Sequence, residues 1–370
     1  MLYWLLRRVQ ADAALELQLV VTGMHLSQKY GMTVQQIVAD GFSADAMVDL
    51  KLDGDTPKDI TSAMGRALIG FAGTFEKLQP DIVVVLGDRF EIFAAAQAAM
   101  MARIPIAHIH GGELTEGALD DAMRHSITKM AHLHFVASEA YRRRVMQLGE
   151  APDRIWTVGA PGVDAIHKLK LLDRTELAEK LAFDLHGPYF LMTYHPVTLL
   201  EDQHDEGLEA LCSALDDFPD HRLLVTGVNA DPGHDRIRER LDAFAAERSG
   251  RVFLRTSLGQ LHYLSAMAHA DAVVGNSSSG LIEAPALGVP TVNVGARQRG
   301  RARGVSIIDV DSDREQIAAA IRRAITAEFR AAAKVARRLS GDGSASDRIV
   351  DVLRDMVLDG ILMKRFQDCT

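Results

Sequence analysis

Short apolar runs recur along the chain, each broken by glycines or charged residues and followed by a stretch of helical periodicity. The run at 81–86 reads as a strand buried on both faces of a parallel sheet and those at 104–109, 133–137 and 155–159 as further strands, with helices at 90–102, 120–130 and 139–148 between them. Upstream, Leu15 to Thr22 and Met47 to Leu52 read as strands flanking a helix near Thr33 to Ala39. Pro57 begins a long helix through Leu78, with Thr56 as its cap. That strict alternation predicts one Rossmann-like unit, closed by Gly159-Ala160-Pro161-Gly162. A charged segment, His167 to Lys180, then crosses to a second unit with strands at 189–194, 221–226, 252–255, 271–275 and 290–294. Helices at 204–217, 233–247, 258–268, 280–287 and 313–326 separate or follow them.

The expected fold class is therefore α/β, with two Rossmann-like domains and a ligand cleft between them. The domains are expected at 1–167 and 168–345, with a terminal helix at about 346–358, in the segment 346–370, joining the first. The opening MLYWLLRRVQADAALE reads as an amphipathic helix where a doubly wound domain begins with a strand, so the first core strand is expected to be missing.

A length of 370 residues agrees with about two domains. The net charge of −9, without a basic stripe, argues against a nucleic-acid partner and means that an acidic substrate needs local arginines and helix ends. No window reaches the ~18 consecutive apolar residues of a membrane span. Cys212 and Cys369 are far apart and lack metal spacing, which fits a reducing, cytoplasmic setting.

Chemistry concentrates where strands end. Asp88 and Arg89 follow one buried strand, and His110, Gly111, Gly112 and Glu113 follow the next, at the sheet edge where open α/β folds bind ligands. Asp120, Asp121, Arg124 and His125 come next, with Asp120 over Arg124 and Asp121 over His125 on a helix. The bland alternatives are an ion pair capping a helix for Asp88 and Arg89, and satisfied strand-end histidines for His108 and His110. Those two histidines have the spacing of a metal pair but lack a third ligand, so no metal is assigned. Asn276, Ser277, Ser278, Ser279 and Gly280 lie between a strand and a helix, where backbone N–H groups and hydroxyls converge on an anion; a plain serine cap is the alternative. Glu283 is placed one turn inside to accept ribose hydroxyls. One or more of Arg297, Arg299, Arg301 and Arg303 would neutralise a diphosphate, the others being solvated. His195 ends the first strand of the second half and reads equally as an acid/base or a turn histidine.

Taken in order, GDRFE at 87–91, HIHGGE at 108–113, DDAMRHSITKMAHLHF at 120–135, YHPVT at 194–198 and NSSSGLIEAPALGVPTVNVGARQRGR at 276–301 resemble the hydrolysing UDP-N-acetylglucosamine 2-epimerase family over nearly the whole chain. The resemblance implies two Rossmann-like domains in the glycosyltransferase-B arrangement. It implies conversion of a nucleotide-linked N-acetylglucosamine-type sugar to the free mannosamine-type sugar and nucleoside diphosphate, through a glycal, for sialic-like acid synthesis. It implies no required cofactor, leaving magnesium open though the sequence does not indicate it, and a homodimer or homotetramer.

By the same resemblance Asp88 and Asp120 match acid/base groups, and His195 matches the histidine near the diphosphate and leaving-group oxygen. Ser277, Ser278 and Glu283 match diphosphate and ribose contacts, and Arg297 a substrate-contacting arginine. Many relatives carry a catalytic glutamate where this chain has His110. The HIHGGE form followed by TEGA resembles the branch acting on UDP-N,N'-diacetylbacillosamine in legionaminic acid synthesis. The threonine-arginine loop that meets the diphosphate in the family has no match in 1–23. UDP and GDP both remain open as the leaving group. A glycosyltransferase of the same fold and an inactive nucleotide-sugar-binding remnant are the rival readings.

Overall fold

A computed structural model of the chain describes residues 1–116, 118–197, 204–227, 233–336 and 341–368. The chain forms two compact units, one of 1–114, 119–164 and 342–370, the other of 115–118 and 165–341. Thr198, within one of the matched motifs, and Cys369 lie outside the described residues.

In the first unit, α1 (Tyr3–Ala11) precedes β1 (Val20–Thr22), α2 (Val34–Ala39) and β2 (Ala46–Val48). The long helix α3 (Pro57–Leu78) starts with a capping box, the Thr56 side chain accepting from Asp59 N–H and the Asp59 carboxylate from Thr56 N–H. Next come β3 (Val83–Leu86), α4 (Phe90–Met101), β4 (Ile106–Ile109), α5 (Asp120–Met130), β5 (Leu133–Val136), α6 (Glu139–Gln147) and β6 (Ile155–Thr157). Strands β3 to β6 form a parallel sheet in chain order, while β1 and β2 pair in a separate parallel sheet. The expected strand over 15–22 is thus confined to its last three residues. Buried Val85, Phe90, Ile106 and Ile127 pack with the inner faces of α3 and α4, and Ile109, Leu133 and Phe135 fill the other side of the sheet.

The chain continues through α7 (Pro161–Lys168) and α8 (Arg174–Leu181) to the second unit. There β7 (Tyr189–Thr193), α9 (His204–Leu215), β8 (Arg222–Thr226), α10 (His234–Glu247), β9 (Val252–Arg255) and α11 (Gly259–His269) form the first half. The second half is β10 (Ala272–Gly275), α12 (Ser279–Leu287), β11 (Thr291–Val294), β12 (Ile307–Val310), α13 (Arg314–Ala324) and α14 (Ala327–Ala336). The six parallel strands take the order β12-β11-β10-β7-β8-β9, the doubly wound arrangement in which the direction of winding reverses between β7 and β10. The pattern reading omitted α7, α8, β12 and α14. Finally α15 (Ala345–Asp355) rejoins the first unit, where its Ile349 and Val350 pack with Leu5 of α1.

Candidate active site

In the first unit, Gly87 leaves β3 with φ +78°, Asp88 follows, and Arg89 caps α4. Arg89 Nε donates to Glu91 Oε1 at 2.8 Å, so this arginine, expected on substrate, is engaged with a carboxylate of the first helical turn. Beneath them His108 is fully buried. Its Nε2 lies 2.8 Å from Gly87 O, which can only accept, so the proton sits on Nε2, and Nδ1 shares the Thr128 hydroxyl proton with Arg124 O, at 3.1 and 3.0 Å. Burial pushes its pKa down to about 3. Both nitrogens of this neutral ring are therefore committed to structure, which suits a satisfied strand-end histidine rather than a metal ligand.

His110, two residues on, is different. It stands at φ +69°, a left-handed conformation costly for any residue with a Cβ. Its N–H donates to Phe135 O at 3.0 Å, which fixes the turn at the end of β4. The ring Nδ1 meets Glu113 Oε1 at 2.5 Å, and the two residues are only 8% and 3% exposed. Gly112 makes the turn between them; a Cβ there would lie 2.5 Å from Tyr141 O.

The hub of this region is Arg124, 1% exposed on α5. Its guanidinium pairs with Asp88, donates to Glu113 O at 3.0 Å and reaches Asp121 at 3.6 Å. A buried arginine with three anchors fixes the end of β3 and the turn after β4 together. Asp121 also lies 3.5 Å from His125, as the helical spacing predicts. Asp120 is half-buried as the first residue of α5. Sequence reasoning recorded Arg124 in its helical face but missed its role. The signal was available: an arginine in an acidic helical turn next to two strand-end motifs.

In the second unit the site forms where β7 and β10 end side by side. Gly275 takes φ +136°, and a Cβ there would fall 2.0 Å from Thr193 O, so only glycine lets the two strand ends close. Asn276 is fully buried and its amide is spent on His195: Oδ1 accepts from His195 N–H at 2.7 Å and Nδ2 donates to His195 O at 2.8 Å. This residue, expected to bind substrate, acts through its side chain as a brace for the histidine loop. Its own carbonyl accepts from Gln298 Nε2 at 2.8 Å and Arg297 Nη1 at 3.4 Å. Ser277 and Ser278 lead into α12, with Ser278 at the N-cap, and Glu283 lies one turn inside and is 9% exposed. Of the arginine run, Arg297 is buried against this turn, Arg299 is exposed, and Arg303 pairs with Asp309 at 2.7 Å. Arg301 donates to Thr115 Oγ1 at 3.3 Å within the same unit. Gln298 was missed, hidden among arginines that offer the more obvious charge.

A sequence model of the family described as UDP-N-acetylglucosamine 2-epimerase matches residues 7–354. The chain belongs to that family. A relative from Campylobacter jejuni named GDP/UDP-N,N'-diacetylbacillosamine 2-epimerase (hydrolyzing) is 36% identical over 365 residues, covering 98% of this chain and 94% of the relative. One from Legionella pneumophila named UDP-N,N'-diacetylbacillosamine 2-epimerase (hydrolyzing) is 34% identical over 363 residues, covering 97% and 93%. The fold is shared with a crystal structure titled as a UDP-N-acetylglucosamine 2-epimerase from Listeria monocytogenes, at TM-score 0.78 and 19% identity, covering 100% of this chain and 95% of that one. Membership of this epimerase family agrees with the two Rossmann-like halves expected from the sequence.

Proposed function

We propose that this chain is a hydrolysing 2-epimerase that converts a UDP-linked, N-acetylglucosamine-type sugar to the free mannosamine-type sugar and UDP. The diacetamido sugar is the favoured substrate, because the Campylobacter and Legionella relatives carry names of that activity and align over nearly the whole chain. The observation that carries the mechanism is the His110–Glu113 pair. With Nδ1 held by a buried carboxylate, the ring is fixed in orientation and only Nε2 is left for a substrate proton.

In the reaction, a base removes the proton on the acetamido-bearing carbon while the bond from the anomeric carbon to the diphosphate oxygen breaks, giving a glycal and UDP. Water then adds its oxygen to the anomeric carbon, and a proton returns to the neighbouring carbon on the opposite face. Inversion requires two proton carriers, one for each face of the ring. His110, Asp88 and Asp120 are the candidates in the first unit, with Arg124 fixing Asp88. The second unit takes the nucleotide, through Ser277, Ser278, Glu283 and Arg297, with His195 assigned to the leaving oxygen. The domains proposed from the sequence, 1–167 and 168–345 with the tail 346–370, divide the labour in the same way.

Reaction in deuterium oxide tests the route: product carrying one deuterium at the acetamido-bearing carbon, with stoichiometric UDP and no acceptor, is expected. Product without it, from active enzyme, excludes the glycal. A panel of UDP- and GDP-linked sugars fixes the base and the acyl pattern.

Assembly as a homodimer or homotetramer accompanies this reading. Leu68 and Ile69 of α3, and Met100 and Met101 of the adjacent α4, supply exposed apolar surface for a partner copy. Light scattering of the protein and of Ile69→Glu checks it. A cytoplasmic location suits the free, buried Cys212, whose thiol burial pushes up to about 12. Among the described residues no helix is long and apolar enough to cross a membrane.

A further inference from the structure

Behind the serine turn of the second unit runs a line of hydroxyls that ends at Ser277. Thr226 Oγ1, at the end of β8, lies 2.5 Å from Thr193 Oγ1 at the end of β7. Thr193 hydrogen-bonds the Tyr263 phenol of α11, and that phenol lies 2.5 Å from Ser279 Oγ at the start of α12. Ser279 Oγ in turn lies 3.1 Å from Ser277 Oγ, which also accepts from Ser279 N–H at 3.4 Å.

We infer that Tyr263 is a positioning residue for the nucleoside diphosphate, setting the direction of this hydroxyl chain so that Ser277 presents its proton, not its lone pairs, to a phosphate oxygen. The inference rests on the reading of the second unit as the nucleotide side. Each hydroxyl has one proton to give, so a chain of them has two possible senses. The Tyr263 phenol has one proton and two oxygen neighbours, so with Thr193 donating to its oxygen the phenol gives its own proton to Ser279. Ser279 then has only Ser277 left to donate to, and Ser277 points its own proton outward, where the positive end of α12 favours an anion. Burial pushes the Tyr263 pKa up to about 12, with Glu283 adding to it, so the phenol keeps its proton across the working range. Removing the phenol oxygen frees Ser279 and Ser277 to rotate, and the donor array becomes random.

The test compares the full chain with Tyr263→Phe, Ser279→Ala and the double variant, measuring affinity for UDP by calorimetry and for uridine by ligand-observed NMR. Tyr263→Phe is expected to weaken UDP about tenfold, the scale of one hydrogen bond to a charged group, with uridine unchanged and the kinetic loss falling mainly on KM. Ser279→Ala should do the same, and the double variant should be no weaker than Ser279→Ala alone, because both cut one chain. Unchanged UDP affinity in Tyr263→Phe, equal loss of UDP and uridine, or losses that multiply in the double variant would overturn the inference. Should Tyr263→Phe fail to fold, full UDP affinity in Ser279→Ala overturns it equally. If the unmodified protein binds neither UDP nor uridine, the nucleotide assignment of the second unit fails instead.

Discussion

Replacing Asn276 with alanine should cost the second unit about 2–4 kcal/mol and turnover with it. The side chain satisfies one donor and one acceptor of His195, at 2.7 and 2.8 Å, in a place where Asn276 is fully buried and His195 only 6% exposed. Each backbone group left without a partner there costs roughly 1–3 kcal/mol, and water entering the space left by the amide recovers part of that. Aspartate is the informative second variant. It keeps the bond from His195 N–H but faces His195 O with a second acceptor, and it adds a negative charge beside the turn proposed to receive phosphates. The readout matters, because both tryptophans, Trp4 and Trp156, lie in the first unit and their fluorescence is blind to the second. Amide hydrogen exchange at β7 and at His195 reads the affected region directly. Faster exchange at His195, with kcat falling further than KM rises, is expected for both variants. Exchange and kcat within twofold of the unmodified protein in Asn276→Ala would refute the brace.

Three further outcomes follow from the same geometry. Glu113→Gln should lower kcat by about 10²–10⁴-fold, since it leaves the His110 ring without its carboxylate; kcat kept within a factor of three would remove the pair from the mechanism. Ser277→Ala and Glu283→Ala should mainly weaken UDP binding, whereas Asp88→Asn and Asp120→Asn should mainly lower turnover; single-turnover kinetics with binding isotherms separate the two, and Asp120→Asn at full kcat would take it out of the acid/base set. Glu150, 3% exposed, accepts from Lys129 at 2.5 Å, Lys364 at 2.7 Å and His134 at 3.1 Å, and so anchors the terminal segment after α15. Burial alone would push its pKa up, but those hydrogen bonds hold it down to about 2. A depressed carboxylate stabilises the fold fully above its ordinary range and loses that contribution as pH falls from about 4.5 toward 2. Glu150→Gln should therefore cost about 3 kcal/mol near neutrality and progressively less in acid, followed by Trp156 fluorescence in urea; a pH-independent cost would sink the account.

Much of the fold was legible because its inner strands, β4, β5, β7, β8, β10 and β11, are apolar runs buried almost throughout and its helices carry local signals. The α3 start is the clearest case: Thr56, Pro57 and Asp59 write the cap in four consecutive residues. What escaped lacked those signals. Strand β12 lies at the sheet edge, partly exposed, with Asp309 inside it, so its apolar run is short and interrupted. Helix α8 is only eight residues and half charged, and its Asp173–Glu176 capping box passed as part of a charged crossing. In the site, residue types at strand ends were readable, but partnerships were not. The Asn276–His195 bonds join residues 81 positions apart, and the Arg124 link to Asp88 depends on how α5 packs on α4 and β4. Sequence shows which groups arrive at an edge; only the packing decides which of them turn to one another.

The left-handed backbone at His110 places opposing selective pressures on a single residue. Asparagine tolerates that conformation better and can still donate to the buried Glu113, so His110→Asn should raise thermal tolerance while removing the imidazole; glycine frees the turn further but takes that partner from Glu113. A laboratory selection for heat resistance alone would drift toward asparagine at 110, whereas a selection for product formation would hold histidine there. Libraries sorted in parallel under the two regimes would part company at this position first, and the divergence would measure how much stability the protein forgoes to keep an imidazole at the end of β4.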